Sequence, residues 1–281
     1  MRASWEEDPP DRGRFEFGMP SLTPAVRGLI LVNALVFGVL FFLSLPSATR
    51  GWVEFAMKWL AIHPAQWKEA FPLLPLWQIV TWGFLHSLTD PLHILYNMLG
   101  LYFLGTLLEG IVGSKRFLWS YFGGLVFAGI TTLAMGLAAD PRTITVGASG
   151  AVMCIVVATA VLRPHARIVF IIVPMTLRTF AILWVGLDLF WFLLQIRTGP
   201  SNVAHLAHLA GAWWGFVVAR RGWIWVDPLE IFQRRRDGLA RERERPDEER
   251  LDEILNKINR QGIHALSGRE RAFLQRVSKR K

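Results

Sequence analysis

The sequence predicts an all-α membrane protein with six membrane-spanning helices. Hydrophobic residues make up 52% of the chain, its mean hydropathy is +0.33, and it contains thirteen tryptophans. These values exceed those of an ordinary soluble domain. Charged residues gather towards the two ends of the chain and leave long apolar segments between them. The middle of the chain is therefore predicted to lie in lipid.

The change from charged to apolar composition divides the chain into four segments. Residues 1–24 predict a flexible cytoplasmic N-terminal segment, and residues 25–222 predict the membrane domain. Residues 223–246 form a charged linker, and residues 247–281 are predicted to form a cytoplasmic helical hairpin. Acidic residues near the N-terminus argue against a cleaved signal peptide, so the first apolar segment is predicted to be retained as an anchor.

Six apolar segments match the length of a membrane span, provided that the shorter ones end below the surface. They are predicted at residues 26–45, 92–111, 117–138, 149–162, 179–196 and 203–220. Most basic residues fall on one side of the resulting topology, at Arg12, Arg14, Arg27, Lys115, Arg116, Arg163, Arg167, Arg220 and Arg221. Because basic loops favour the cytoplasm, both termini are predicted to be cytoplasmic.

The even-numbered spans carry polar residues near their external ends. The fourth span has about 14 residues, or about 21 Å of helix, against a hydrocarbon core of about 30 Å. Ser149 at its start is therefore expected about 10 Å below the external surface, and Asn97 and His208 are expected about 8 Å deep. Polar groups and a loop at that depth require a water-filled pocket, which would open to the outside.

The polar residues of these spans form three short motifs. Ser149 lies in the Gly-Ala-Ser-Gly sequence of residues 147–150, His93 and Asn97 share one face of span two, and His205 and His208 lie one turn apart in span six. Each motif has another interpretation: a helix cap, small-residue packing, interhelical hydrogen bonds, or haem or metal ligands. Polar groups that converge inside a membrane nevertheless favour a functional site.

Taken together, these motifs resemble the rhomboid intramembrane serine proteases in order, spacing and span number. The resemblance covers residues 25–220 and rests on residues 93–97, residues 147–150, and residues 207–211 followed by Gly215. Glu109 with Gly113 after span two, and the long first loop, also fit the family. The resemblance implies a six-helix bundle in the cell membrane that cleaves transmembrane helices of other proteins, without a metal or a cofactor.

The resemblance also implies a role for each site residue. Ser149 is the expected nucleophile and His208 the general base and acid, as a dyad without a third, acidic member. His93, Asn97 and the backbone N–H of Ser149 are the expected oxyanion donors. Residues expected to support them are Gly147, Gly150, Met153, His205, Gly211 and Gly215.

Some positions depart from the family pattern. Met153 replaces an aromatic residue that many members carry four positions after the serine, and Gln78 replaces an arginine of the first loop. An Asp90-Pro91 turn precedes span two and leaves a role for His86 in doubt. Asp188 lies in the middle of span five, where it predicts either a hydrogen bond to a neighbouring helix or an influence on gating.

The first loop, residues 47–85, combines tryptophans with charged residues. That composition predicts a segment lying in the outer membrane interface, and a plain extracellular loop is the alternative. Residues 168–174 are too short to span and are interpreted as a cytoplasmic connection.

Two short amphipathic helices are predicted in the C-terminal segment. Leu251, Ile254, Leu255 and Ile258 recur at helical spacing up to Gly262, and residues 267–270 form a capping box before Phe273. About 35 residues bury too little to fold alone, so this hairpin is expected to dock on a partner, on another part of the chain or on the membrane.

Other functional classes remain as alternatives. A rhomboid-like protein that binds membrane clients without cutting them is the main one, and a haem or metal protein and a transporter are others. The net charge of +9 comes without any nucleic-acid-binding motif, so no nucleic-acid partner is expected. The expected partners are transmembrane protein substrates and the lipid bilayer.

Overall fold

The computed structural model describes residues 21–170, 172–198, 204–227, 236 and 251–278. Nearly all of the predicted N-terminal segment and most of the predicted charged linker lie outside these residues. The chain divides into two compact units, one ending at Val226 and the other beginning at Asp227.

The first unit is almost entirely helical in the part that the structure describes. Its helices are α1 (Pro24–Ser44), α2 (Arg50–Leu60), α3 (Pro64–Glu69), α4 (Gln78–Thr81), α5 (Pro91–Gly100), α6 (Thr106–Val112), α7 (Ser114–Ala138), α8 (Ser149–Leu162), α9 (Leu177–Thr198) and α10 (His205–Arg220). A π-helical turn joins α5 to α6 and makes them one continuous helix. Short 3₁₀ turns lie at Ser47–Thr49, Trp82–Phe84 and Trp223–Trp225.

Each of the six predicted spans corresponds to a helix. Four are long and apolar enough to cross a membrane: Pro24–Ser44, Pro91–Val112, Ser114–Ala138 and Leu177–Arg197. Helices α8 and α10 are shorter, with 14 and 16 residues. The long helices expose many large apolar side chains, a surface suited to lipid. The predicted fold class, an all-α polytopic membrane bundle, is confirmed.

Helix α8 lies at the centre of the bundle and packs against α7, α9 and α10. Its contact with α10 is made by backbone, because a Cβ atom at Gly211 would collide with the carbonyl of Gly150 and one at Gly215 with the carbonyl of Cys154. Small residues allow helices in lipid to approach this closely. The two helices that carry Ser149 and His208 are therefore in direct contact.

A buried carboxylate holds the start of α1 against α6. Glu109 accepts hydrogen bonds from the backbone N–H groups of Ala25 and Val26, both at 2.9 Å. It also accepts from the hydroxyls of Thr23 and Ser114. A carboxylate favours the N-terminal end of a helix, where N–H groups lack intrahelical partners. Glu109 thus ties α1, α6 and the start of α7 together.

The first loop is organised around the fully buried Gln78. Its Oε1 atom accepts from Trp67 Nε1 at 2.8 Å and from the His63 N–H at 3.3 Å. Its Nε2 atom donates to Gln66 Oε1 at 2.8 Å and to the Lys58 carbonyl at 3.2 Å. Gln78, which stands where the family pattern has an arginine, is therefore a neutral side chain at the centre of a hydrogen-bond network. The interfacial location of this loop stays a prediction.

The connection between α8 and α9 contains an antiparallel hairpin that the sequence analysis missed. Strand β1 (Arg167–Phe170) pairs with β2 (Val173–Thr176), with Arg167 opposite Thr176. The segment is a connection and not a span, as predicted, but it has regular structure.

The second unit contains two helices in its described part, α11 over residues 251–261 and α12 (Gly268–Ser278). Ile254, Leu266 and Phe273 form its small core. The predicted capping box is present, since the Glu270 N–H donates to Ser267 Oγ and the Ser267 N–H donates to Glu270 Oε2. Hydrogen bonds from Lys257 and Ser267 lower the pKa of Glu270 to about 2.

Candidate active site

Ser149 is placed by a glycine with a positive φ angle and by a helix start. Gly147 has φ of +127° and donates its N–H to the Trp82 carbonyl at 3.0 Å, and α8 begins at Ser149. A Cβ atom at Gly147 would lie 2.6 Å from His93 Nε2 and 3.8 Å from Ser149 Oγ. Both atoms therefore lie within 4 Å of one point, and only glycine leaves that point open.

The turn of α10 that carries His208 packs against the first turn of α8, which begins at Ser149, because the two helices meet at their glycines. Gly150, next to Ser149, faces the carbonyl of Ala207, next to His208; a Cβ atom at Gly150 would be 3.2 Å from that oxygen. His208 also lies near enough to His93 for the charges of the two imidazoles to interact. The predicted nucleophile, base and first oxyanion donor thus occupy one region.

Asn97 is buried one helical turn after His93. Its Nδ2 atom donates to the His93 carbonyl at 2.9 Å. A side-chain amide has two N–H donors, so this hydrogen bond leaves the second one for another acceptor. The arrangement fixes the Asn97 side chain on the same helix as His93.

His86 belongs to the same cluster, although the sequence analysis left its role in doubt. Its ring meets the His93 ring edge-on, with centroids 5.2 Å apart, and is almost completely buried. No hydrogen bond of ordinary geometry reaches either of its ring nitrogens from the described residues, although the Phe84 backbone lies near enough to interact. Burial, followed by the nearby His93, lowers the pKa of His86 to about 3.

A carboxylate contacts the predicted base. Asp188 Oδ1 lies 3.0 Å from His208 Nδ1 and 2.7 Å from His205 Nδ1. The expected hydrogen bond between Asp188 and a neighbouring helix is therefore present. The family resemblance implied that no acidic residue accompanies the histidine, and as a description of the geometry this is wrong. The contact depends on how α9 and α10 face each other, which the family pattern does not specify.

The remaining supporting residues lie along α8 and α10. Met153 is buried one turn after Ser149, and Gly150, Gly211 and Gly215 form the contact between the two helices. Sequence reasoning missed the place of His86 and the partners of Asp188. A charged residue in the middle of an apolar span was the signal for Asp188, since such a residue is costly without a partner.

Three donors in this cluster are also grouped closely enough to hold a metal ion. One ligand atom each from Asp188, His205 and His208 lies within 4.8 Å of the others. Histidine and carboxylate are ordinary ligands of zinc. The absence of a metal therefore stays a prediction for this protein.

Fold and site together define a polytopic helical membrane protein with a serine, histidines and a carboxylate grouped among its helices. Residues 74–224, more than half of the chain, match the family described as "Rhomboid domain". The chain belongs to the rhomboid family. Residues 240–280 match a second family, described as "Family of unknown function (DUF6576)".

The chain is similar to a curated plant protein, "RHOMBOID-like protein 12, mitochondrial" of Arabidopsis thaliana. The two are 32% identical over 202 residues, which covers 66% of this chain and 55% of that protein. The chain thus spans about half the length of this relative.

Proposed function

We propose that the protein is an intramembrane serine endopeptidase that hydrolyses peptide bonds in or next to transmembrane helices of membrane proteins. The observation that carries this proposal is the packing of α8 on α10. In that packing the first turn of α8, which begins at Ser149, contacts the turn of α10 that carries His208, and His93 Nε2 lies close to Gly147. Membership of the rhomboid family supports the same activity.

The reaction begins with the Ser149 hydroxyl. Its oxygen attacks the scissile carbonyl while His208 takes the proton, and His208 then gives that proton to the leaving amine. Water enters, His208 activates it, and the acyl-enzyme on Ser149 is hydrolysed. No metal or cofactor is needed in this sequence of steps.

The oxyanion of the tetrahedral intermediate requires donors fixed before the reaction. His93 Nε2 lies near Gly147, two residues before Ser149. The Ser149 N–H is in the first turn of α8, where backbone N–H groups have no partner within the helix. The second N–H of Asn97 is the third proposed donor. Donors of this kind act strongly in a site that excludes bulk water.

We place the protein in the cell membrane, with both termini in the cytoplasm and the site opening to the external side. The distribution of basic residues supports this orientation. The short α8 supports a site below the external surface, because a 14-residue helix is about 21 Å long.

The test is cleavage of a fluorescent transmembrane substrate in proteoliposomes by the wild type, Ser149→Ala and His208→Ala. We expect each substitution to abolish detectable cleavage. Two matched controls change the same residue types at exposed positions, Ser47→Ala and His264→Ala, and should keep wild-type rates.

Equal cleavage by all five proteins would contradict the assignment of Ser149 and His208. If the wild type binds several substrates and cuts none of them, the client-binding alternative replaces the protease. A fluorophosphonate probe adds a substrate-independent measurement, because it should label the wild type and not Ser149→Ala.

A further inference from the structure

Asp188 is the acidic residue of α9, in a stretch that is otherwise apolar between Arg178 and Arg197. Its side chain is 8% exposed, and both of its hydrogen-bonded partners lie on α10. A carboxylate at this depth in a membrane is costly, so its presence calls for a specific partner and role.

The two histidines of α10 converge on one oxygen of this carboxylate. Their rings are almost perpendicular, at 85°, and each presents Nδ1 to Asp188 Oδ1. A neutral imidazole has one N–H and one free lone pair. When His208 donates through Nδ1, its lone pair is on Nε2, which is the nitrogen that a base needs free.

We propose that Asp188 is a positioning residue for His208 in the hydrolytic reaction. It holds His208 in the Nδ1–H form with Nε2 turned towards Ser149, and it stabilises the imidazolium that forms when Ser149 loses its proton. The proton moves from Ser149 Oγ to His208 Nε2 and later to the leaving amine, and Asp188 stays ionised throughout. This inference rests on the proposed protease function.

His205 has a defined part in the same arrangement. Its Nδ1–H donates to the oxygen that also accepts from His208, at the shorter distance of 2.7 Å. The hydrogen bond fixes the carboxylate from the side nearer the start of α10. Asp188 Oδ2 is buried and has no partner among the described residues, so the orientation of the carboxylate depends on these two imidazoles.

The distances favour hydrogen bonds over a shared metal ion. Ligands of a tetrahedral zinc ion, at bond lengths of about 2.1 Å, are separated by about 3.4 Å. The separations of 2.7 and 3.0 Å between Asp188 and the two imidazoles match charge-assisted hydrogen bonds instead. A metal ion bound here would take His208 Nδ1 as a ligand, and that nitrogen is the one that contacts Asp188.

The first experiment compares kcat and KM of the full chain in proteoliposomes for the wild type and Asp188→Asn. Asparagine keeps the shape and removes the charge, and we expect kcat to fall by about 10²- to 10⁴-fold with KM nearly unchanged. Asp188→Glu, which keeps the charge, should retain more activity than Asp188→Asn. Gly186→Ala is the matched control on α9, because nothing lies within 4 Å of the added methyl.

Unchanged kcat in Asp188→Asn, with cleavage still dependent on Ser149, would overturn the inference. A fall in kcat that appears only with a raised KM and a lower unfolding temperature would also overturn it, because that pattern is structural. Activation of the wild type by a chelator, with inhibition by zinc that requires Asp188, would replace the positioning role with a metal site.

The tautomer of His208 provides a readout that does not depend on cleavage. Nitrogen-15 NMR of the detergent-solubilised wild type should show His208 protonated on Nδ1, and Asp188→Asn should show a mixture. A wild-type proton on Nε2 at neutral pH would contradict the inference. If no substrate is cut, the protease proposal fails while this measurement still decides the role of Asp188.

Discussion

The first loop and the candidate active site each contain a buried polar cluster, and the two clusters are built differently. Gln78 uses both lone pairs of its oxygen and both N–H groups of its nitrogen on protein partners. Two partners of Gln78 keep an unpaired atom, His63 Nδ1 and Gln66 Nε2, and in the site Asp188 Oδ2 and both ring nitrogens of His86 have no ordinary hydrogen bond among the described residues.

The difference lies in the side chain at the centre of each cluster. Gln78 is neutral and its hydrogen-bonding capacity is fully used, so it gains from staying in place. Asp188 keeps one buried oxygen without a partner among the described residues, and such atoms are rare and call for an explanation. The proposed role of Asp188 in orienting His208 supplies one.

The largest expected effect tests whether the Gln78 network is structural. Replacing Gln78 by Leu removes five hydrogen bonds and leaves buried groups of Gln66 and Trp67 unpaired, each at a cost of about 1–3 kcal/mol. We expect a loss of about 3–5 kcal/mol in the free energy of unfolding, measured in detergent by tryptophan fluorescence.

A matched variant, Trp77→Phe, removes a single hydrogen bond from the more exposed Trp77 Nε1 to the Trp59 carbonyl and should cost far less. The molecules that remain folded in Gln78→Leu should still label with a fluorophosphonate at close to the wild-type rate. Selective loss of labelling in fully folded Gln78→Leu would remove the distinction between the two clusters.

A smaller effect is expected from one methyl group in the site. In Gly147→Ala the new Cβ atom would meet His93 Nε2 at 2.6 Å, in a backbone conformation that alanine rarely adopts. We expect kcat/KM to fall by about 10²-fold, as for other displacements of about 1 Å in active sites. The unfolding free energy should fall by about 1–2 kcal/mol.

Gly186→Ala again provides the control, since its Cβ atom would enter open space. Wild-type kinetics in Gly147→Ala would show that the position of His93 does not limit the reaction. The measurement therefore sharpens the contrast between a site with no room for a methyl group at Gly147 and a loop whose central Gln78 is fully hydrogen-bonded.

The smallest effect concerns pH. The pKa of His86 is about 3 in the folded protein, against a usual value of about 6.5. Between these values the unfolded chain binds a proton that the folded chain does not, so folding weakens as pH falls, by about 1.4 kcal/mol per pH unit. At pH 5 this amounts to roughly 2 kcal/mol.

To isolate His86, the unfolding free energy is measured at pH 7 and at pH 5 for the wild type and for His86→Phe, and the two changes are compared. The variant should lose about 2 kcal/mol less than the wild type over this interval. Parallel curves for the wild type and His86→Phe would show that His86 is not buried as a neutral ring.

Much of this architecture is predictable from sequence because lipid imposes simple rules on apolar segments. The helices that match the six spans begin and end within a few residues of the predicted bounds. Ser149 and His208 could be singled out because polar side chains that converge within apolar helices favour a functional site, and their catalytic roles stay predictions.

The rest depends on how the helices are rotated against each other, which the sequence does not specify directly. Asp188 was visible as a charge in span five, but its contact with His208 requires the facing surfaces of α9 and α10. The position of Gln78 likewise depends on how the loop closes around it. The hairpin of β1 and β2 is a local feature in a short segment whose alternation was too brief to recognise.

The backbone contact between α8 and α10 has a mechanical consequence. At Gly150 and Gly211, and again at Cys154 and Gly215, no side chain separates the two helices. Rotamer changes in the surrounding core therefore change little the distance between the turn of α8 that carries Ser149 and the turn of α10 that carries His208. The spacing between the proposed nucleophile and base is therefore set by backbone contact, even though α10 also exposes Trp213 and Phe216.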